Sequence, residues 1–425
     1  MKISKLHIDS YRHLENLDFD FTYPKDFHIE EKRGKPLDKI CFIGQSASGK
    51  TSLLELINQT ISYFYNLRKI STDEFLDVGN FKHLKINLNF ESDLILYKYE
   101  KGDIKIDNEN LKLYDGTYNG GATDIINYKN NIFFISADIL SRQNIKIFEE
   151  KTVNLIEKYK DLKNNSNSLL EQNYFGDFVR ESIWISFLQE RLDYLQKSLQ
   201  FFNEFLANDF LSESLSKKLE DWKLLNSNPL LNFADKFDYI FKNLNIELDL
   251  NNASEIFPLR NIFTKENIPV ENISTGTKQL LLTALPLYKL NTTDSIILID
   301  EPERSLYPDM QMDLMEHYKN FAPKAQFIIA THSPFIAASF EPEERFILSF
   351  DQEGKVIVNR GSSPIGDDPN DMLYNDFGIN YINKYGQQKH NEYLDLKQKV
   401  FFEKDENAKK RYVEKLEKLG EEYNF

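Results

Sequence analysis

The sequence of 425 residues predicts an α/β fold built on a buried, mostly parallel sheet. Three short apolar runs carry this prediction: residues 39–43, 296–299 and 326–330. None of them alternates with polar residues, which is typical of parallel strands that are buried on both faces. The first run leads through a glycine-rich turn into residues 53–57, whose apolar positions have helical spacing. A strand followed by a turn and a helix indicates the α/β class.

Composition narrows the class of protein further. Hydrophobic residues make up 41% of the chain and aromatic residues 13%, which supports a sizeable core. The single cysteine, Cys41, falls inside a predicted strand, so a disulfide framework and a cysteine zinc site are excluded. We see no signal peptide and no run near the about 18 apolar residues of a membrane helix, and we therefore expect a cytoplasmic protein without a membrane partner. The formal charge of −15 argues against a surface that coats DNA, although a local basic groove stays open.

The turn after the first predicted strand fits the pattern G-x-x-x-x-G-K-[ST]. In such a loop the backbone N–H groups and the helix N-terminus attract phosphate, the lysine reaches the β- and γ-phosphates, and the hydroxyl holds Mg²⁺. A chance match on a Gly/Ser turn is the alternative, and the flanking strand and helix disfavour it. The predicted phosphate-binding residues are Gly44, Gln45, Ser46, Ala47, Ser48, Gly49, Lys50, Thr51 and Ser52.

An acidic pair, Asp300 and Glu301, directly follows the apolar run 296–299. Ligands of open α/β sheets bind at the carboxyl ends of the strands, where this pair is expected to lie. Asp300 suits the surroundings of a Mg²⁺ ion, and Glu301 suits the polarisation of an attacking water. An ordinary acidic strand end is the alternative. The glycine loop and the acidic pair together predict a nucleotide site.

Changes in pattern divide the chain into four predicted segments. Residues 1–145 and 246–365 combine predicted strands with the motifs, and period-two patterns in 1–24 and 84–107 predict antiparallel strands beside the parallel sheet. Residues 146–245 have helical spacing and are expected to form a packed helical insertion, with a platform for a partner or DNA as the alternative. Residues 366–425 are expected to form a helical C-terminal segment.

Two more motifs lead to a family resemblance. Residues 272–282 read NISTGTKQLLL, and Thr331-His332-Ser333 follows the run 326–330 directly. The order of all four motifs resembles the head of an ABC-type ATPase, with a mixed sheet and an antiparallel β subdomain. Within that superfamily the chain resembles the SMC/RecF/OLD branch, and GTKQLL and EPERSLYPD are similar to stand-alone Septu-like ATPases of bacterial anti-phage defence. The resemblance covers roughly residues 1–145 and 250–380.

The resemblance implies roles for residues that the motifs alone do not assign. Ser274, Gly276 and Lys278 would form the signature, which in this family touches the γ-phosphate held by the other subunit. His332 would bond the γ-phosphate of its own subunit, whereas a lone histidine is otherwise structural. These roles add the expected dimer interface to the expected nucleotide site.

The remaining implied roles concern the cofactor and the metal. Gln143 would couple Mg²⁺ to the helical insertion, with an exposed glutamine at a helix start as the alternative reading. Arg12, from an aromatic-arginine pair in the first hairpin, joins the cofactor-binding set. The implied metal-binding residues are Thr51, Asp300 and Gln143, and the implied catalytic residues are Lys50, Glu301 and His332.

The sequence also departs from the family pattern at some positions. Ser46-Ala47 stands where relatives tend to carry Asn-Gly, and Tyr307 stands where close relatives often carry His. The signature reads S-T-G-T in place of the usual S-G-G or S-S-G. None of these departures removes a group that phosphoryl transfer requires.

The function implied is an ATP-binding and ATP-hydrolysing switch that dimerises around ATP and Mg²⁺. As a homodimer or a higher homo-oligomer, it would control a separate effector, a nuclease or a toxin, in anti-phage defence. One alternative is a RecF/SMC-like DNA-repair ATPase that acts on DNA directly, which keeps nucleic acid open as a partner. Another alternative is a scaffold or sensor that nucleotide stabilises and that hydrolyses ATP weakly.

Overall fold

The computed structural model describes residues 2–66, 89–90, 98–100, 103–106, 109–111, 132–137, 146–149, 151–158, 177–208, 215–379 and 384–423. Within these residues the strands are β1 (Ile3–Tyr11), β2 (Leu14–Asp20), β3 (Lys39–Gly44), β4 (Asn89–Phe90), β5 (Lys98–Glu100), β6 (Asp103–Ile106), β7 (Glu109–Leu111), β8 (Ile132–Ile135), β9 (Ile246–Leu248), β10 (Leu259–Asn261), β11 (Asn267–Ile268), β12 (Ile296–Asp300), β13 (Gln326–Ala330), β14 (Arg345–Phe350) and β15 (Val356–Arg360). The α-helices described are α1 (Lys50–Asn66), α2 (Thr152–Lys158), α3 (Asp177–Asn208), α4 (Leu215–Leu225), α5 (Pro229–Asn243), α6 (Thr275–Lys289), α7 (Pro308–Phe321), α8 (Pro334–Ala337), α9 (Pro369–Asn375), α10 (Lys384–Phe402) and α11 (Glu406–Tyr423).

A central sheet holds the three strands on which the sequence-based prediction rested. Its order is β15-β14-β3-β13-β12-β8, and every neighbouring pair is parallel except β14 with β15. The predicted strands β3, β13 and β12 are therefore adjacent and parallel. Their carboxyl ends lie at one edge, which brings the glycine loop after β3 beside the acidic pair at the end of β12.

Both faces of this sheet are covered, which explains the unbroken apolar runs. In β3, Ile40 and Phe42 belong to the core on one face, and Cys41 and Ile43 belong to the core on the other. In a strand successive side chains point to opposite faces, so a strand covered on both sides needs apolar residues at every position. The predicted α/β fold class is confirmed.

The antiparallel pair β1–β2 and helix α1 cover the first face. Aromatic side chains fill the space between the hairpin and the sheet: Phe21 and Phe346 pack edge to face with ring centroids 5.1 Å apart, and Phe19 lies 5.7 Å from Phe42. Such aromatic pairs contribute about 0.5–1.5 kcal/mol each beyond their buried area. This packing holds the β1–β2 turn close to the loop after β3.

Helices α3, α5, α6 and α7 contribute to the core on the second face. Residues 183–188 of α3 contribute to this core, where Trp184 packs against Phe148 and Phe257, and Phe187 packs against Phe233 of α5. The predicted helices of this region thus share one core with strands of the central sheet. The domain boundaries at 145, 245 and 365 stay predictions.

The C-terminal segment is helical, as expected. Helix α9 is joined to the sheet through a fully buried ion pair between Arg345 of β14 and Asp376, whose side chains lie 3.2 Å apart. Beyond it, α10 and α11 pack against each other. Among the described residues no helix is both long and apolar enough to span a membrane.

Candidate functional site

The loop between β3 and α1 has a backbone that requires its two motif glycines. Gly44 has φ +142°, and a Cβ there would lie 2.0 Å from the carbonyl oxygen of Leu348 on β14. Gly49 has φ +98°, and a Cβ there would lie 2.6 Å from the Leu14 side chain of the first hairpin. Positive φ and close neighbours both exclude larger residues. The loop is therefore enclosed by the sheet on one side and by the hairpin on the other.

Lys50 is folded back over this loop. Its side chain is 6% exposed, and Nζ donates hydrogen bonds of 2.9 Å to the carbonyl oxygens of Gly44 and Gln45. Burial lowers the pKa of the Lys50 ammonium, while the nearby carboxylates of Asp300 and Glu301 oppose this shift. The loop thus holds a desolvated positive charge at the edge of the sheet, where a phosphate would gain most from it.

The next residue joins the loop to the acidic pair. Thr51 Oγ1 donates a 2.9 Å hydrogen bond to Asp300 Oδ2, at the end of β12. Burial raises the pKa of Asp300 to about 6; the Thr51 bond opposes this shift, and the charges of Glu301 and Glu303 add to it. The Thr51 hydroxyl and the Asp300 carboxylate are in contact, and this carboxylate binds a proton more tightly than usual. Oxygen donors of this kind are the ones that a hard divalent cation favours.

Glu301 leaves the strand with an unusual backbone. Its φ is +48°, and its N–H continues the parallel ladder by donating 2.8 Å to the carbonyl oxygen of Ala330. The carboxylate is paired with Arg304, whose Nε lies 2.8 Å from Oε2, and Arg304 also donates 2.7 Å to the carbonyl oxygen of Ala137. The side chain of Glu301 is therefore held at the site by an arginine that is itself anchored to the segment after β8.

Glu303 is the residue that the motif analysis left without a role. Its Oε1 accepts a 2.7 Å bond from the backbone N–H of His332, and its Oε2 accepts a 2.8 Å bond from Thr331 Oγ1. His332 is exposed. Partial desolvation of its ring and the charge of Lys50 lower its pKa, whereas Glu301 opposes the shift. The signal for Glu303 was present in the sequence as the second glutamate of IDEPE.

The signature residues lie at the start of α6. Ser274 is the N-cap and accepts 3.1 Å from the N–H of Thr277, a favourable helix start. A Cβ on Gly276 would lie 2.7 Å from the carbonyl oxygen of Ser305, and Lys278 donates 3.2 Å to the carbonyl oxygen of Glu271. These contacts place Gly276 of the signature against the loop after β12.

The remaining residues of the predicted site have mixed positions. Arg12 donates 2.9 Å to Ser52 Oγ and pairs with Glu55 at 2.6 Å, so it lies over the first turns of α1.

Ser48 Oγ is buried and has no hydrogen-bond partner among the described residues, and Ala47 has φ +64°. Gln45 contributes its carbonyl oxygen to Lys50, and Ser46 is an exposed loop residue. Gln143 lies outside the described residues.

Comparison with known proteins gives distant relatives, three of which follow. The retron Ec83 probable ATPase of Escherichia coli is 23% identical over 416 residues, covering 84% of this chain and 73% of that protein. The retron Vc95 probable ATPase of Vibrio cholerae serotype O1 biovar El Tor is 24% identical over 253 residues, covering 54% of this chain and 48% of that protein. The Septu protein PtuA of Bacillus mycoides (strain KBAB4) is 22% identical over 372 residues, covering 84% of this chain and 42% of that protein. The chain thus spans about half the length of two of these relatives.

Among solved structures, the SMC head domain from Thermotoga maritima superposes with a TM-score of 0.40 and 12% identity, covering 85% of this chain and 100% of that chain. The Smc head domain from Pyrococcus furiosus superposes with a TM-score of 0.39 and 13% identity, covering 84% and 96%. A family model described as an AAA ATPase domain matches residues 1–337, which is most of the chain. The chain therefore belongs to the AAA ATPase domain family and is distantly related to the retron probable ATPases and to Septu protein PtuA.

Proposed function

We propose that this protein hydrolyses ATP with the help of Mg²⁺ and acts as a switch in bacterial anti-phage defence. The observation that carries the proposal is the convergence of four groups at one edge of the sheet: the Lys50 ammonium, the Thr51–Asp300 pair, the Glu301 carboxylate and His332. Each group comes from the carboxyl end of β3, β12 or β13, where ligands of α/β sheets bind.

The residues present fit a bound nucleotide and metal. At Gly44 and Gly49 the neighbouring residues leave no room for a side chain, and the buried Ser48 hydroxyl has no partner among the described residues. Lys50 would neutralise phosphate oxygens, and Thr51 with Asp300 would hold Mg²⁺, to which Gln143 is proposed as a further ligand. When bound, the metal neutralises charge on the phosphates and so lowers the barrier to their displacement.

The chain's own groups supply the proton transfer and the orientation. Glu301 accepts a proton from the attacking water, because it is the carboxylate at the site that does not contact Thr51 or the His332 segment. Arg304 keeps one of its oxygens fixed, which limits the orientations that the carboxylate can adopt. His332 offers a ring N–H to the terminal phosphate, and its exposed position leaves the ring free to reach a ligand.

Dimerisation is proposed from the position of the signature. Ser274 and Gly276 lie against the loop after β12 and start a helix whose N-terminus attracts phosphate. We place this N-terminus over the nucleotide of a second copy, so that the dimer closes around two ATP molecules. Closure and reopening would then control a separate effector protein, a nuclease or a toxin, in line with the retron and Septu names of the relatives.

The test compares wild type with Glu301→Gln and with Glu316→Gln, a change at an exposed position of α7. The amide cannot accept the water's proton, so we expect Glu301→Gln to bind ATP with wild-type affinity and to lose at least about a hundredfold in kcat. ATP-dependent dimers should accumulate in this variant and be visible by light scattering, and Glu316→Gln should behave as wild type. Hydrolysis by Glu301→Gln at the wild-type rate would show that another group is the base. Equally slow turnover of ATP by wild type and by Glu301→Gln would favour the alternative function as a scaffold or sensor.

A further inference from the structure

The loop that follows β12, residues 301–307, is bonded to elements on both of its sides. From the signature helix, Gln279 Nε2 donates 2.8 Å to the carbonyl oxygen of Pro302. From α7, Gln311 Nε2 donates 2.8 Å to the carbonyl oxygen of Leu306, and Gln311 Oε1 accepts 2.6 Å from Ser333 Oγ. This loop therefore connects the start of α6 with the segment that carries His332.

Glu303 is the centre of this connection. Its two carboxylate oxygens accept bonds from the Thr331 hydroxyl and from the His332 N–H, at 2.8 Å and 2.7 Å. Thr331 Oγ1 in turn accepts 2.9 Å from the N–H of Ser333, which caps helix α8. One side chain thus ties three consecutive residues, 331–333, in a single arrangement. A half-buried carboxylate with both oxygens bonded in this way is costly to shift.

The contacts separate Glu303 from the groups proposed for the chemistry. Asp300 contacts the Thr51 hydroxyl, and Glu301 is held by Arg304, whereas Glu303 bonds only the His332 segment among the side-chain contacts described. The bonds it accepts come from neutral donors, so they require an acceptor of the right reach and do not require a negative charge. Its geometry is that of a support for His332.

We propose that Glu303 is a positioning residue that fixes the backbone at His332 and thereby sets the His332 ring against the terminal phosphate. The inference rests on the proposed ATPase function. Through Pro302 and Gln279 the same loop links His332 to the signature helix. In the proposed dimer His332 serves the nucleotide of its own chain and the signature helix serves that of the second copy, so the support at Glu303 also connects the two nucleotide sites. The chemistry itself stays with Glu301.

Two substitutions at Glu303 separate the effect of side-chain length from the effect of its negative charge. Glu303→Gln keeps the length of the side chain, its amide oxygen can accept the His332 N–H, and its amide N–H can donate to the Thr331 hydroxyl. Glu303→Asp keeps the charge but is shorter by about 1.5 Å, one bond length, so it loses the reach to both donors. We expect kcat within about threefold of wild type for Glu303→Gln. For Glu303→Asp we expect a kcat lower by about tenfold to a hundredfold with an unchanged KM, because an orienting contact has been displaced by about 1 Å.

A second readout needs neither nucleotide nor turnover. The amide of His332 is bonded to Glu303, so its hydrogen exchange in the ATP-free protein reports this contact directly. We expect exchange at this amide to be about tenfold faster in Glu303→Asp than in wild type, and unchanged in Glu303→Gln. The exposed carboxylate Glu316, changed to Asp, is the matched control and should alter neither exchange nor kcat.

A double-mutant cycle with His332→Ala tests whether Glu303 acts through the histidine. If it does, adding Glu303→Asp to His332→Ala should cost no further activity, whereas independent roles would multiply the two losses. Thr331→Val, which removes one of the two bonds and keeps the carboxylate, should give a smaller loss that His332→Ala also conceals. This variant gives the cycle a second route should Glu303→Asp fold poorly.

The outcomes distinguish this inference from the proposed function. No ATPase activity in wild type would refute the proposed function, and the exchange measurement would still test the contact. Wild-type activity that Glu301→Gln abolishes, with Glu303→Asp as active as wild type, would overturn the positioning role alone. Loss of activity in Glu303→Gln with activity retained in Glu303→Asp would also overturn it, because charge and not reach would then be required.

Discussion

Asp300 should destabilise the folded protein at neutral pH, and Asp300→Asn should relieve that cost. The side chain is 5% exposed, and burial together with Glu301 and Glu303 raises its pKa from 3.8 to about 6. One pKa unit corresponds to about 1.4 kcal/mol, so the shift amounts to about 3 kcal/mol. The asparagine oxygen can still accept the bond from Thr51, so the substitution removes the charge and leaves the contact.

The direction in which stability changes with pH follows from the number of protons that the native and unfolded states bind. Between pH 3.8 and about 6 the unfolded chain has released the Asp300 proton and the native protein still holds it, so stability falls as pH rises through this window. Well below pH 3.8 both states are protonated, and wild type and Asp300→Asn should be equally stable. Above pH 6 the variant should be more stable by about 3 kcal/mol, constant with further increase in pH.

The assay is urea unfolding in EDTA at several pH values, followed by tryptophan fluorescence, to which the buried Trp184 contributes. Addition of Mg²⁺ and ATP should then stabilise wild type more than Asp300→Asn, because the charge that is costly alone is the one proposed to hold the metal. A variant that is less stable than wild type at pH 8, or a difference that does not change between pH 4 and pH 7, would refute this account of Asp300.

Further substitutions test other parts of the site and the fold. Lys50→Ala should reduce ATP affinity at least about a hundredfold in calorimetry, since the charge that neutralises phosphate is lost; unchanged affinity would remove the loop assignment. Ser274→Arg should bind ATP with normal affinity yet fail to dimerise or hydrolyse it, and wild-type hydrolysis by this variant would contradict the composite site. Asp376→Asn should lower the free energy of unfolding by about 3–5 kcal/mol, because Arg345 keeps a fully buried charge without its partner. The double variant with Arg345→Met should lose less than the sum of the single losses, and additive losses would show that the pair is not coupled.

The strands and motifs could be predicted because their signals are local. Each central strand is an unbroken apolar run, and each motif follows its strand directly, so the parallel order alone brings Lys50 and Asp300 to the same edge. The same argument placed His332 after β13. A strand that is buried on both faces leaves little freedom in where its carboxyl end can lie, and the site residues inherit that placement.

Contacts between distant segments could not be predicted in the same way. The ion pair of Arg345 with Asp376 joins the start of β14 to the end of α9, two stretches with no shared pattern, and only the folded chain makes them neighbours. Periodicity predicted the helices of residues 146–245, but it does not encode that Trp184 packs against Phe257 in the core beside the sheet. The sequence shows Glu303 as part of the IDEPE motif but assigns it no role. The role follows from the hydrogen bond that the backbone N–H of His332 donates to its carboxylate.

Four of the eight non-glycine residues with positive φ in the described part of the chain lie around the proposed site. Arg12, Ala47, Glu301 and Ser305 are non-glycine residues with φ between +48° and +64°, a region that costs an L-residue about 1–2 kcal/mol. All four belong to the first hairpin turn, the phosphate loop or the loop after β12. At Glu301 the positive φ has a structural consequence. The N–H can complete the ladder to Ala330 while the carboxylate turns out of the sheet toward Arg304. Strained residues persist when their surroundings determine them, and here the enclosing sheet, hairpin and signature helix do so. The folded protein is less stable because of these strained residues. In return, the proposed base and the phosphate loop have one fixed arrangement before any ligand binds.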